Sequence, residues 1–112
     1  MSVKKDDKLY IADIAHEIAS IKKFTKGMSW NGFEKDELVR RAVERSIEII
    51  GEACRCISEK FRLEHAEVPW KKIIGMRNLI SHAYGDVDYA QVWAVVEKDI
   101  PALEQALKML EK

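Results

Sequence analysis

"EKDELVRRAVERSIEIIGEACRCISEKF", residues 34–61, carries a helical period along its whole length. At about 100° per residue, Val39, Val43, Ile47, Ile50, Cys54, Ile57 and Phe61 share one arc. Arg41, Glu44, Arg45, Glu48, Glu52 and Arg55 share the opposite one. The spacing predicts one amphipathic helix from about Glu34 to about Phe61. Its charged arc alternates in sign, the pattern of a solvated face laced with i,i+3 and i,i+4 pairs. Gly51 lies close to the apolar arc, where a missing side chain lets a neighbouring helix approach.

A helix of that kind needs partners, and the flanks supply them. Before it, Ile11, Ile14, Ile18, Ile21 and Phe24 recur at three- and four-residue intervals, and Lys26-Gly27 gives a basic last turn with a glycine stop. The intervening GMSWNGF has no period and reads as a loop with two embedded aromatics, Trp30 and Phe33. After it, RLEHAEVP is a short connection into a third helix opening at Pro69, a residue suited to a first helical turn. Asp88 with Gln91 three residues on has capping-box spacing. The last helical stretch, Tyr89 to Leu110, turns Val92, Val95, Val96, Ile100, Leu103, Leu107 and Leu110 to the core. Pro101 lies inside it and must kink or split it, because proline lacks the backbone donor. The expectation is an all-α, antiparallel four-helix bundle formed by residues 1–112 as a single domain. No strand, repeat or low-complexity tract is evident.

Composition agrees and excludes several classes. The chain has 112 residues, enough for one hydrophobic core. Lysine plus arginine equals aspartate plus glutamate at 19 each, so no global positive field exists to coat nucleic acid non-specifically. No apolar run approaches the length of a membrane span, and MSVKKDDKLYIADI lacks the apolar region of a secretion signal. These features place the chain in the cytoplasm. Cys54 and Cys56 point about 200° apart on a helix and cannot bridge each other. They read as buried or half-buried free thiols of a reducing compartment. His16-Glu17 begins like a zinc-protease helix, but Ser20 stands where the second histidine belongs. His16 and His65 read as surface residues, and Trp30 and Trp93 as packing or interface aromatics. No acidic metal cluster or glycine-rich phosphate loop appears, so neither metal nor cofactor is expected.

The chemistry gathers in "MRNLISHAYG", residues 76–85. With Arg77 as zero on a helical wheel, Ile73, Met76, Leu79, Ile80 and Ala83 fall between about −40° and −160°, the core face. Ser81, Asn78 and His82 lie on the other side, Asn78 and His82 one turn apart. Trp70 and Ile74 join Arg77 and Ser81 in a stripe away from the core. Two large apolar residues there need a cover, and the simplest is a second copy of the same surface. Such a homodimer would gather two copies of Arg77, Asn78 and His82 around a two-fold axis, with Lys71 and Lys72 near an anion site. Imidazole moves protons near neutral pH, guanidinium clamps phosphate, the asparagine amide orients either, and the Tyr84 phenol adds a ring and a hydroxyl. These parts suit RNA cleavage by the substrate's own 2′-hydroxyl, which needs acid/base groups and an anion clamp. They equally fit a helix-capping histidine beside a salt-bridged arginine.

"RNLISHAY", residues 77–84, resembles the Arg-x4-His-x-Tyr signature of HepT-like toxins in the HEPN ribonuclease superfamily. The flanks "RAVERSIEIIGEACRCISEKF" and "VPWKKIIGMRNLISHAYGDVDYAQVW" are similar to that family's second helix and motif region, over roughly residues 38–110. Ala83 departs from the pattern, since many relatives carry glycine between the histidine and tyrosine. The resemblance implies a homodimeric, metal-independent endoribonuclease with Arg77 and His82 catalytic and Asn78 supporting. It also implies the toxin half of a toxin–antitoxin system. The partner would be a minimal nucleotidyltransferase antitoxin that transfers AMP to Tyr84 and so blocks activity. The competing reading is a non-catalytic HEPN module that binds a nucleotidyltransferase or nucleotide and cuts nothing.

Overall fold

A computed structural model describes residues 6–79 and 87–110, with the backbone alone at Arg77 and Leu79. The fold is all-α: α1 spans Asp7–Thr25, α2 Trp30–Lys35, α3 Glu37–Cys56, α4 Glu59–Glu64 and α5 Trp70–Gly75. A 3-10 turn, Met76–Leu79, continues α5; α6 is Tyr89–Ala94 and α7 is Ile100–Leu110, joined by a π-helical turn at Val95–Asp99. Among the described residues no strand occurs, and no helix is long and apolar enough to cross a membrane.

Side-chain caps punctuate the chain. Asp6, Ser29, Asp36, Ser58 and Asp88 each accept from the backbone N–H three residues on, which satisfies a donor that a helix start otherwise leaves orphaned. Gly27, at φ 75°, takes the left-handed conformation that stops α1 where the sequence suggested. The loop expected at GMSWNGF holds only to Ser29; from Trp30 the chain forms α2, capped by Ser29 and too short to show a period. Its Phe33 is fully buried, 4.9 Å from the ring of Trp93, while Trp30 packs half-buried beside it.

The long helix expected through Phe61 breaks at Ile57. The break has a tertiary cause. Asp7, at the start of α1, accepts from both the backbone N–H (2.8 Å) and the hydroxyl (2.7 Å) of Ser58. That clasp leaves Ser58 extended, and its oxygen caps α4 by accepting from Phe61 N–H. It also sets α1 antiparallel to α3, because the start of one meets the end of the other. Ile14, Ile18 and Ile21 of α1 then pack on Val43, Ile47, Ile50 and Cys54 of α3, and Ile100, Leu103 and Leu107 of α7 join the same buried cluster. Phe24, expected with them, is 38% exposed.

Pro101 disturbs the last stretch as its missing N–H requires, but upstream of itself. The proline ring crowds the carbonyl four residues back, Glu97, and the chain widens into the π turn, with Ile100 N–H donating to Val95 five residues earlier. The extra residue in that turn keeps Val95, Ile100 and Leu103 all facing the core. On α3 the predicted ion pairs form at Arg41–Glu37, Arg45–Glu48 and Arg55–Glu52. All are exposed and contribute little individually.

Candidate active site

The motif helix is short and held from three sides. Trp70, Ile73 and Met76 are buried against α3. The Trp70 indole N–H donates to the His65 carbonyl at 3.0 Å, and Lys72 pairs with Asp99 of the π turn at 2.8 Å. Past Gly75 the helix tightens, with Met76 N–H facing the carbonyls of Lys72, Ile73 and Ile74. Arg77 and Asn78 therefore sit on a 3-10 turn, where each residue advances about 120° rather than 100°. Asn78 is exposed. The wheel drawn from an unbroken α-helix does not hold over Met76–Leu79.

The fold of α4 corrects one expectation. Trp70 was expected on the face away from the core, yet it is only 6% exposed. Its cover comes from the same chain. The Phe61 ring lies edge-on to it at 6.3 Å, Val68 is buried in the same cluster, and the bend at Ser58 brings α4 over that side. Ile74 is half-buried and packed against the core. The observation that singled out Trp70 as a dimer contact is therefore absent.

His82 and Tyr84, with Ser81 and Ala83, lie outside the described residues, as does the Arg77 side chain. Beyond residues 80–86 the chain is fixed by the expected cap at Asp88 and by residues that sequence reasoning placed elsewhere or passed over. Val87 is half-buried on the core, and Asp88 caps α6 by accepting from Gln91 N–H at 3.2 Å. The Arg40 guanidinium then lies 4.8 Å over the Tyr89 ring. The Glu44 carboxylate beside the Tyr89 hydroxyl, together with partial burial, holds the phenol above its ordinary value against the lowering pull of Arg40. Arg40 also donates to the Glu34 carbonyl. Glu44 was assigned to the solvated arc of α3; it is half-buried, and only its distant partner Tyr89 reveals why.

The remaining polar candidates are accounted for. His16 is exposed, and half-buried His65 stacks on Phe61 at 4.4 Å. Cys54 is buried, which pushes its thiol up to about 12 against the lowering pull of Arg62, whereas Cys56 is exposed rather than half-buried. Among the described residues no group of three or more His, Cys, Asp or Glu is placed to hold a metal ion.

A helical bundle with an Arg-Asn pair delivered at the end of a core-anchored helix is the architecture of the HEPN class. A family model described as ribonuclease HepT-like matches residues 14–110. Over 107 residues the chain is 36% identical to a provisionally named RNase of Methanocaldococcus jannaschii, covering 96% of this chain and 98% of that one. It is 40% identical over 104 residues to a provisionally named RNase of Caldanaerobacter subterraneus, covering 93% of each. It is also 38% identical over 110 residues to a protein of Thermococcus cleftensis named as a probable ribonuclease HepT, covering 98% of this chain and all of that one. No solved structure gives a significant match. The chain belongs to the HepT-like ribonuclease family.

Proposed function

We propose that this chain is an endoribonuclease that cleaves RNA through the substrate's own 2′-hydroxyl, acting as the toxin of a toxin–antitoxin pair. The observation that carries the reading is an intact Arg77…His82 pair in a family of ribonucleases, with its first residue on a turn rigidly tied to the core. In the reaction the 2′-oxygen attacks phosphorus and the bond from phosphorus to the 5′-oxygen breaks. The 2′-hydroxyl loses a proton and the leaving oxygen gains one. His82 is the group that moves protons, and Arg77 neutralises charge gathering on the phosphoryl oxygens. Asn78, exposed one position on, orients the imidazole or the phosphate.

The site works as a homodimer, with Ile74 and Asn78 at the subunit interface and two copies of the motif near the axis. Control resides at Tyr84. AMP transferred to its hydroxyl by a nucleotidyltransferase antitoxin brings a phosphodiester charge and an adenine to the substrate's own position.

Incubation of purified protein with RNA in excess EDTA tests the core of this proposal. Cleavage should persist and leave 2′,3′-cyclic phosphate ends or their hydrolysis products. His82→Ala should slow it by about 10²- to 10⁴-fold. Arg77→Ala should weaken both RNA binding and turnover, with the stronger dependence on salt. Equal rates in wild type and both variants would leave a binding module that cuts nothing. Strict dependence on added Mg²⁺ or Mn²⁺ would replace the mechanism.

A further inference from the structure

Where α4 meets the start of α5, the surface opens into a groove of about 530 Å³. That lies within the range of clefts that enclose a small ligand or a few side chains, about 300–1,000 Å³. Its floor is apolar, formed by Val68, Pro69 and Trp70, and its outer lip is Leu63, which is 71% exposed. Arg62 and Lys71 stand on the walls. Neither makes an ion pair among the described residues, whereas the third cation, Lys72, is already paired with Asp99. Glu59 is the single carboxylate on the lining.

Arg62 is the informative member. It is half-buried, and its Nε–H is shielded from solvent with no hydrogen-bond partner. A guanidinium N–H left that way is costly, and because Arg62 lines the groove, a carboxylate reaching in would meet the guanidinium through a charge-assisted bond. The exposed leucine beside it asks for an apolar cover rather than for water.

We infer that this groove docks a segment of a protein partner that presents one large apolar side chain flanked by Asp or Glu. The apolar residue would lie over Leu63, Val68 and Pro69, and the carboxylates would engage Arg62 and Lys71. A nucleic acid fits less well. The aromatic ring on the floor is buried and offers no stacking face, most of the lining is apolar, and the chain carries equal numbers of acidic and basic residues. The groove lies at the opposite end of α5 from Arg77, so an occupant would grip the helix that carries the motif without filling the catalytic position. This inference does not depend on the chain cutting RNA.

The test is fluorescence anisotropy with labelled synthetic peptides in which Leu, Phe or Trp is flanked by glutamates, titrated with the full chain. At least one should bind saturably, and His82→Ala should bind it as wild type does. Leu63→Glu changes an exposed side chain and should weaken binding at least about tenfold while circular dichroism shows the native fold. Lys71→Glu, also exposed, should do the same, and peptides with lysine in place of glutamate should not bind. The inference is overturned by no saturable binding across the series, or by unchanged affinity in Leu63→Glu. It is also overturned if a 2′-O-methyl single-stranded oligonucleotide displaces the peptide, which would make the groove a nucleic-acid subsite. Loss of wild-type self-association in Leu63→Glu would assign it instead to a second copy of this chain.

Discussion

Cys54 and Cys56 are two residues apart and chemically far apart. Burial raises the Cys54 thiol from an ordinary value near 9 to about 12, so the folded state holds its proton where the unfolded chain releases it. The resulting stability is complete below pH 9 and is lost as pH rises from there towards 12. At pH 10 it should amount to a loss of about 1 kcal/mol, absent from Cys54→Ala when urea midpoints at pH 8 and pH 10 are compared in both proteins. Cys56 is exposed, so a thiol reagent at neutral pH should modify one cysteine per native chain and both after unfolding. An equal rate at both thiols would show that the α3 core opens readily. Tyr84 carries a different residue-scale expectation. Co-expression with a nucleotidyltransferase antitoxin should add AMP-sized mass to the wild-type chain and silence cleavage. Tyr84→Phe should remain unmodified and, if active, should resist neutralisation. Equal modification of both would move the switch to another residue.

At the scale of elements, the boundary between α3 and α4 governs what reaches α5. Ser58 serves two partners, accepting from Phe61 N–H and donating its hydroxyl to Asp7. Ser58→Ala should cost about 1–2 kcal/mol, the usual range for a lost cap with one further bond, read as a lowered urea midpoint. A cycle with Asp7→Ala should show coupling, since one hydrogen bond is removed by both changes. Additive effects would mean that the clasp is not what breaks the helix. The π turn before Pro101 is a parallel case. A local constraint, one missing N–H, is resolved by a change of helix type that keeps both flanking apolar faces in the core.

For the molecule as a whole, the open question is how many copies form the site. Trp70 is covered by its own chain, so in the homodimer proposed above the interface would rest on Ile74, Asn78 and the motif turn. Wild type should sediment as a dimer at micromolar concentration. Ile74→Asp should yield monomers and lose RNA cleavage together, with thermal melting checked because Ile74 also packs on the core. A monomeric wild type that still cuts RNA would remove the shared site. The all-α class, the core faces of α1, α3 and α7 and the Asp88 cap were all legible from the chain, because helical period and cap chemistry act within four residues. The bend at Ser58, the burial of Trp70 and the Glu44–Tyr89 staple were not. The bend and the staple depend on partners remote in sequence, as Asp7 is from Ser58 at a separation of 51 residues, and Phe61 comes over Trp70 only because of that bend. No local pattern encodes such a pair; it forms only when hydrophobic burial has already brought the helices together.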